Sequence, residues 1–262
     1  MVSPFLSLLL LIAAVVPAWG GQPQQLCLSC HPVHFSERGV CSQCHLGNPA
    51  SDRQNIAHAG LRGGNYSRFT LYNERQKKEG QQLMEQLGCR RCHVSGGRGN
   101  RLSANLDGSA VRKRAGELAL SIQRPVVNMP DFALDEARIT ELVNMILLNA
   151  QGRNVDEAAP VTVHFSRSGA QSIDLFSKKC GSCHRLLSQR RGALGAGQIG
   201  PNLSGLFSEF YPKTFRNGES WTPRNLAAWL KNPRESRPMA RMQPVSVTGS
   251  EMKELESIMY TD

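Results

Sequence analysis

All eight cysteines of this 262-residue chain fall in four copies of one pattern. They are Cys27-Leu28-Ser29-Cys30-His31, Cys41-Ser42-Gln43-Cys44-His45, Cys89-Arg90-Arg91-Cys92-His93 and Cys180-Gly181-Ser182-Cys183-His184. In each, two thiols at fixed spacing precede a histidine. Thiols so spaced can form thioethers to the two vinyl groups of one haem, and the adjacent imidazole can ligate its iron; Cys-x-x-Cys-His is the attachment pattern of c-type haem. The motifs predict four covalently attached haem c groups, with His31, His45, His93 and His184 as the proximal iron ligands. Zinc ribbons also use Cys-x-x-Cys pairs, but zinc does not require a histidine directly after every second cysteine. A thioredoxin-like pair needs a βαβ context that the sequence lacks. Disulfides across two intervening residues are strained and rarely structural.

The elements that must hold these groups are short. Residues 1–20 read as a signal peptide: Phe5 to Val16 is apolar, and Pro17-Ala18-Trp19-Gly20 offers a small-x-small cleavage site, although no Lys or Arg precedes the apolar run. Residues 21–60 carry two motifs and are too short to close a core, so two haems would staple them. Residues 61–75 read as a polar, Gly-containing linker. Beyond it, helices are predicted from Glu74 to Leu87, from Ala115 to Gln123 and from Asp135 to Asn149. In the last of these, Ile139, Leu142, Val143, Ile146 and Leu147 share a face and Asp135 caps the N-terminus. Residues 151–164 form a second linker. The order then returns: a helix over Ser168 to Lys179 leads into the fourth motif, Thr222-Pro223 opens another ended by Pro233, and Thr248-Gly249-Ser250-Glu251 is a capping box before Met252, Leu255 and Ile258.

Helix, haem motif, loop, helix, Met loop, helix thus occurs twice. Residues 76–150 and 165–262 each resemble a class I cytochrome c domain. The second carries Gly200-Pro201-Asn202-Leu203, Asn225-Leu226-Ala227-Ala228-Trp229-Leu230-Lys231-Asn232-Pro233 and Arg241-Met242-Gln243-Pro244. The first carries Asn128-Met129-Pro130 but reads Ser103-Ala104-Asn105-Leu106 where the second has its proline. The resemblance implies that Pro201 packs near His184 and that a Met close to a Pro is the distal ligand. Residues 21–60 resemble small multihaem cytochromes more loosely. The expected fold class is all-α: two tandem class I cytochrome c domains preceded by a small, loop-rich dihaem segment.

Four distal ligands remain to be found. Met129 suits the third haem and Met242 the fourth, with Met239 the alternative to Met242. Met84, Met145, Met252 and Met259 lie on helical stripes and read as core. In the N-terminal pair His34 and His58 are the natural distal ligands. His34 follows His31 too closely to cross to the opposite face of the same haem, so it is assigned to the second haem and His58 to the first; the reverse pairing stays open. His164 echoes the context of His34 and reads as a linker or packing residue.

Six-coordinate irons leave no position for a substrate, so the expected function is single-electron transfer. His/Met ligation raises a haem potential relative to bis-His, which predicts a low-potential N-terminal pair and two higher-potential haems. The alternative is a haem enzyme, a peroxidase or an oxyanion reductase, with one iron open or easily opened. Haem attachment outside the cytoplasmic membrane and the signal segment agree on a periplasmic or otherwise exported protein with no transmembrane span after cleavage. The formal charge of +10 invites anionic partners, but ionised propionates of four haems would cut it to roughly +2. Nucleic acid is not an expected partner. Redox proteins are, including a membrane quinol-oxidising complex of which this chain would be the haem subunit.

Overall fold

The computed structural model describes residues 26–126, 128–153 and 174–261. The expected signal peptide, His164, most of the expected second linker and the start of the helix expected over Ser168 to Lys179 lie outside the described residues. The chain divides into two compact units, Met1–Leu61 and Arg62–Asp262.

Among the described residues of the first unit none is fully buried, as expected of a segment too short to enclose a core. Its regular structure is two short helices, α1 (Cys41–His45) and α2 (Gln54–Ala57), with 3₁₀ turns at Leu26–Ser29 and Ser36–Arg38. The second haem motif is α1 itself. Backbone bonds draw the ends together: Leu26 N–H donates to the Pro49 carbonyl at 3.0 Å and Asn48 N–H to that of Ala57 at 2.9 Å. Gly47 makes the second approach possible. Its φ is +78°, and a Cβ there would stand 2.6 Å from the Ala57 oxygen.

The second unit contains two hydrophobic clusters. The first is built on α6 (Glu136–Ala150), against which α3 (Glu74–Gln86), α4 (Leu106–Arg112) and α5 (Ala115–Gln123) pack. All five apolar residues predicted on one face of α6 are buried, and Asp135 accepts the Arg138 N–H as N-cap. Met84 and Met145 are core residues, as their helical positions suggested. Residues 61–75, read as a linker, are different: Gly64–Leu71 forms a 3₁₀ helix that packs on α6 with Phe69 only 2% exposed. The tether is distant in sequence. Asn144 of α6, 1% exposed, accepts from Phe69 N–H at 2.8 Å and donates to the carbonyls of Asn65 and Thr140.

The second cluster joins α7 (Leu175–Lys179), α8 (Pro223–Lys231) and α10 (Gly249–Met259) around Phe176, Leu206, Leu226, Leu230, Leu255 and Ile258, with α9 (Pro233–Ser236) packed on α8. Each such side chain, fully buried, contributes about 1.5–3 kcal/mol. Thr222 caps α8 ahead of Pro223, and the Thr248/Glu251 capping box opens α10. The structure is predominantly helical. Among the described residues it departs from all-α in one hairpin after the fourth motif, β1 (Leu186–Ser188) antiparallel to β2 (Gly192–Leu194). Leu186, Leu187 and Leu194 are buried there, Gly192 turns the chain at φ +72°, and Leu187 N–H donates to Ser204 Oγ at 2.8 Å. Among the described residues, no helix is long and apolar enough to cross a membrane.

Candidate haem sites

In the first unit the four histidines meet in two pairs. The imidazoles of His34 and His45 face each other with their Nε2 atoms 3.3 Å apart. The rings of His31 and His58 lie 5.9 Å apart between centroids. Each pair joins the histidine of one motif to a histidine outside the motifs: His34 lies beside His45 of the second motif and His58 beside His31 of the first. His58 is positioned by α2, whose C-terminus it caps. His45 ends α1, and the α-helical turn places it on the same face as Cys41, four residues before it. Two neighbouring imidazoles are the residue types an iron with two axial histidines requires.

The third and fourth motifs share a local design. In each, the histidine N–H bonds back to the carbonyl of the first cysteine, His93 to Cys89 at 3.0 Å and His184 to Cys180 at 2.9 Å. In each, the ring Nδ1–H donates to a loop carbonyl: His93 to Ala104 at 2.7 Å and His184 to Pro201 at 2.8 Å. A carbonyl only accepts, so this bond fixes the Nδ1–H tautomer and leaves the Nε2 lone pair for a metal. The proline missing from the first loop therefore costs the bond nothing. The acceptor is backbone, and Ala104 stands before Asn105 as Pro201 stands before Asn202. Burial also holds the His93 imidazole below its ordinary value, which keeps it neutral.

Glycines let the loops close over both motifs. A Cβ on Gly99 would stand 2.0 Å from the His93 oxygen, and one on Gly195 2.3 Å from the His184 oxygen. A Cβ on Gly200 would strike the His184 ring at 2.2 Å. Composition does not single out Gly99 or Gly195; their fit to the motif backbone does. The thiols are sheltered as well. Burial pushes the Cys89 and Cys180 thiols up to about 11 and raises that of Cys92.

On the other side, the methionines separate. Met242 packs against the second cluster, and its Sδ accepts from Trp229 Nε1–H at 3.1 Å. Met239 is 91% exposed. Met129 is half-buried in the stretch between α5 and α6. Met252 and Met259 are core, as read from their stripe. Among the described residues no group of three or more His, Cys, Asp or Glu gathers as a metal cage, which a structural zinc site would need. Cysteine pairs, Nε2-presenting imidazoles and half-buried thioethers are instead what a covalently attached, axially ligated haem requires.

No family model matches the chain, and no solved structure matches it. Two curated proteins do, both cytochrome c2. One, from Rhodospirillum rubrum, is 40% identical over 70 residues, covering 22% of this chain and 58% of that protein. The other, from a named strain of the same organism, is 39% identical over 70 residues, 22% of this chain and 48% of that protein. The chain spans about half the length of the curated relatives it matches. This partial likeness, added to the attachment motifs, supports reading the chain as a c-type cytochrome.

Proposed function

We propose that the chain is an exported tetrahaem cytochrome that passes single electrons between redox partners. Haem, when bound, supplies the one-electron chemistry; the protein holds it and tunes it. In this reading Cys27/Cys30, Cys41/Cys44, Cys89/Cys92 and Cys180/Cys183 attach the four haems. His31/His58 and His34/His45 are the axial pairs of the first two, and His93/Met129 and His184/Met242 those of the third and fourth. The observation that supports the reading is that each motif histidine either lies beside a second imidazole or commits its Nδ1 proton to a carbonyl, as an axial ligand would.

Filled axial positions leave no iron for a substrate, which favours a carrier over a peroxidase or an oxyanion reductase. Bis-His pairs sit at lower potential than His/Met pairs. Electrons then arrive at the N-terminal haems and leave through the His/Met haems, toward a higher-potential acceptor. A membrane quinol-oxidising complex is a fitting donor, with this chain in the periplasm as its haem subunit. Residues 76–150 and 165–262 act as two cytochrome c domains, each with its own cluster. The test is the haem count of protein matured with an active haem-attachment system. Denatured protein should keep four covalent haems by pyridine haemochrome, and each double Cys→Ser variant should lose one. A potentiometric titration should then show two low and two high potentials. Two haems, or four equal potentials, would overturn the assignment.

A further inference from the structure

The two arginines inside the third motif point to different places. Arg90 folds back on its own cluster, donating through Nε and Nη2 to the Ser95 carbonyl at 3.1 and 3.0 Å. Arg91 reaches the other way. Its Nη2 donates to the carbonyls of Asn202 and Ser204, at 2.5 and 3.2 Å, and its guanidinium stacks over Tyr211 at 4.4 Å. Asn202 directly follows Pro201, whose carbonyl holds the His184 ring.

Three further contacts show that this meeting is built. Asn100, 4% exposed, donates one amide to the Arg91 carbonyl at 2.9 Å and to Ser208 Oγ at 2.8 Å. Gly205 sits at φ +68°, and a Cβ there would stand 2.7 Å from the Arg91 oxygen, so backbone meets backbone. The side chain of Asn202 donates to the Asn128 carbonyl at 3.3 Å, one residue before Met129. One loop, 201–205, thus touches the histidine of the fourth motif, the interior of the third motif and the residue beside Met129.

We infer that loop 201–205 is a coupling bridge between the third and fourth haem sites, and that Arg91 is the positioning residue that ties the fourth site's proximal histidine to the third motif. The inference rests on the haem assignment above. A fixed cation on the Asn202 carbonyl favours the reduced, less positive fourth haem. It also makes that haem sensitive to the oxidation state of the third, because Arg91 lies between the two cysteines that attach it. A flexible bead-on-string arrangement would do neither.

The experiment compares Arg91→Gln with Arg90→Gln in the haem-loaded full chain. Both remove one positive charge from the same motif, but only Arg91 belongs to the bridge. The fourth haem is identified by the spectroscopic signal missing from a Cys180→Ser/Cys183→Ser variant. Arg91→Gln should lower its reduced-to-oxidised ratio at fixed ambient potential by about three- to tenfold, or about 30–60 mV, and shift its low-spin EPR signal. Arg90→Gln should leave that signal and potential in place. Equal effects of the two variants, or no effect of Arg91→Gln on the fourth haem, would overturn the inference. Wild-type protein gives a second reading that depends on no variant. The EPR signal of the fourth haem should change when the third haem alone is reduced, and its invariance would also overturn the bridge. A count of fewer than four haems would instead sink the assignment on which the bridge rests.

Discussion

Trp229→Phe removes the indole N–H while keeping an aromatic ring at the position. In the structure Trp229 Nε1 lies 3.1 Å from Met242 Sδ. The rest of the indole packs edge-on against Trp221, with ring centroids 5.6 Å apart, under the guanidinium of Arg237 at 5.4 Å. Phenylalanine keeps much of that packing. If Met242 gives its sulfur lone pair to the fourth iron, the positive end of the N–H dipole draws density from the same sulfur. That weakens donation to the ferric iron more than to the ferrous iron, so the bond favours reduction. A neutral hydrogen bond is worth about 1 kcal/mol net, and thioether sulfur is a weak acceptor, so about 0.5–1 kcal/mol is the relevant range. A tenfold change in equilibrium constant, about 1.4 kcal/mol, is about 59 mV for one electron. The expected fall in the fourth haem's potential is therefore about 20–40 mV. Spectroelectrochemical titration reads it, with the weak red absorbance band of thioether ligation checking that Met242 stays bound. A rise in potential, or no change with the band intact, would refute the argument.

Other outcomes follow from the same contacts. Met242→Ala should open one haem to carbon monoxide, read as a Soret shift of one haem equivalent, whereas Met239→Ala, at a side chain in solvent, should not. Asn144→Leu should lower stability by about 1–3 kcal/mol in urea titration, because it strands the buried Phe69 N–H. Glu251 is held below its ordinary value of 4.5 by its hydrogen bond to Lys179 and by the capping bond from Thr248 N–H. A depressed carboxylate stabilises the fold above its unfolded pKa, and that share is lost as pH falls through the folded value. The melting-temperature gap between wild type and Glu251→Gln should therefore be present at neutral pH and close below about pH 4.5. A gap that widens in acid would contradict the assignment.

Much of the chemistry was legible because its signals are local. The four motifs occupy consecutive residues, and the Thr248/Glu251 box and the Asp135 cap sit within one turn of the helices they start. What the sequence hid is held by distant partners. Gly63 and Gly64 made 61–75 look like a linker, yet Asn144 clamps Phe69 from 75 residues away. Helix α4 begins Leu106-Asp107-Gly108-Ser109, a weak helix former. It is held by its Asn105 cap and by Asp107, whose carboxylate accepts the N–H groups of Gly96 and Gly97. The hairpin after the fourth motif owes one strand bond to Ser204. Arg90 and Arg91 are equivalent in sequence, each readable as a propionate partner or a docking charge, and only the tertiary contacts separate them. The His93 bond was hidden for the opposite reason: its acceptor is a main-chain carbonyl, which any residue supplies.

The most direct measurement of the central claim is the visible spectrum of reduced, haem-loaded protein before and after carbon monoxide. Split c-type bands of four haem equivalents, essentially unchanged by the gas, are the expected result. They would mean four six-coordinate irons and an electron carrier. Rapid binding to one whole haem equivalent would contradict it and move the protein toward the haem enzymes. So would the absence of c-type bands from protein matured with an active haem-attachment system, which would remove the haem assignment altogether.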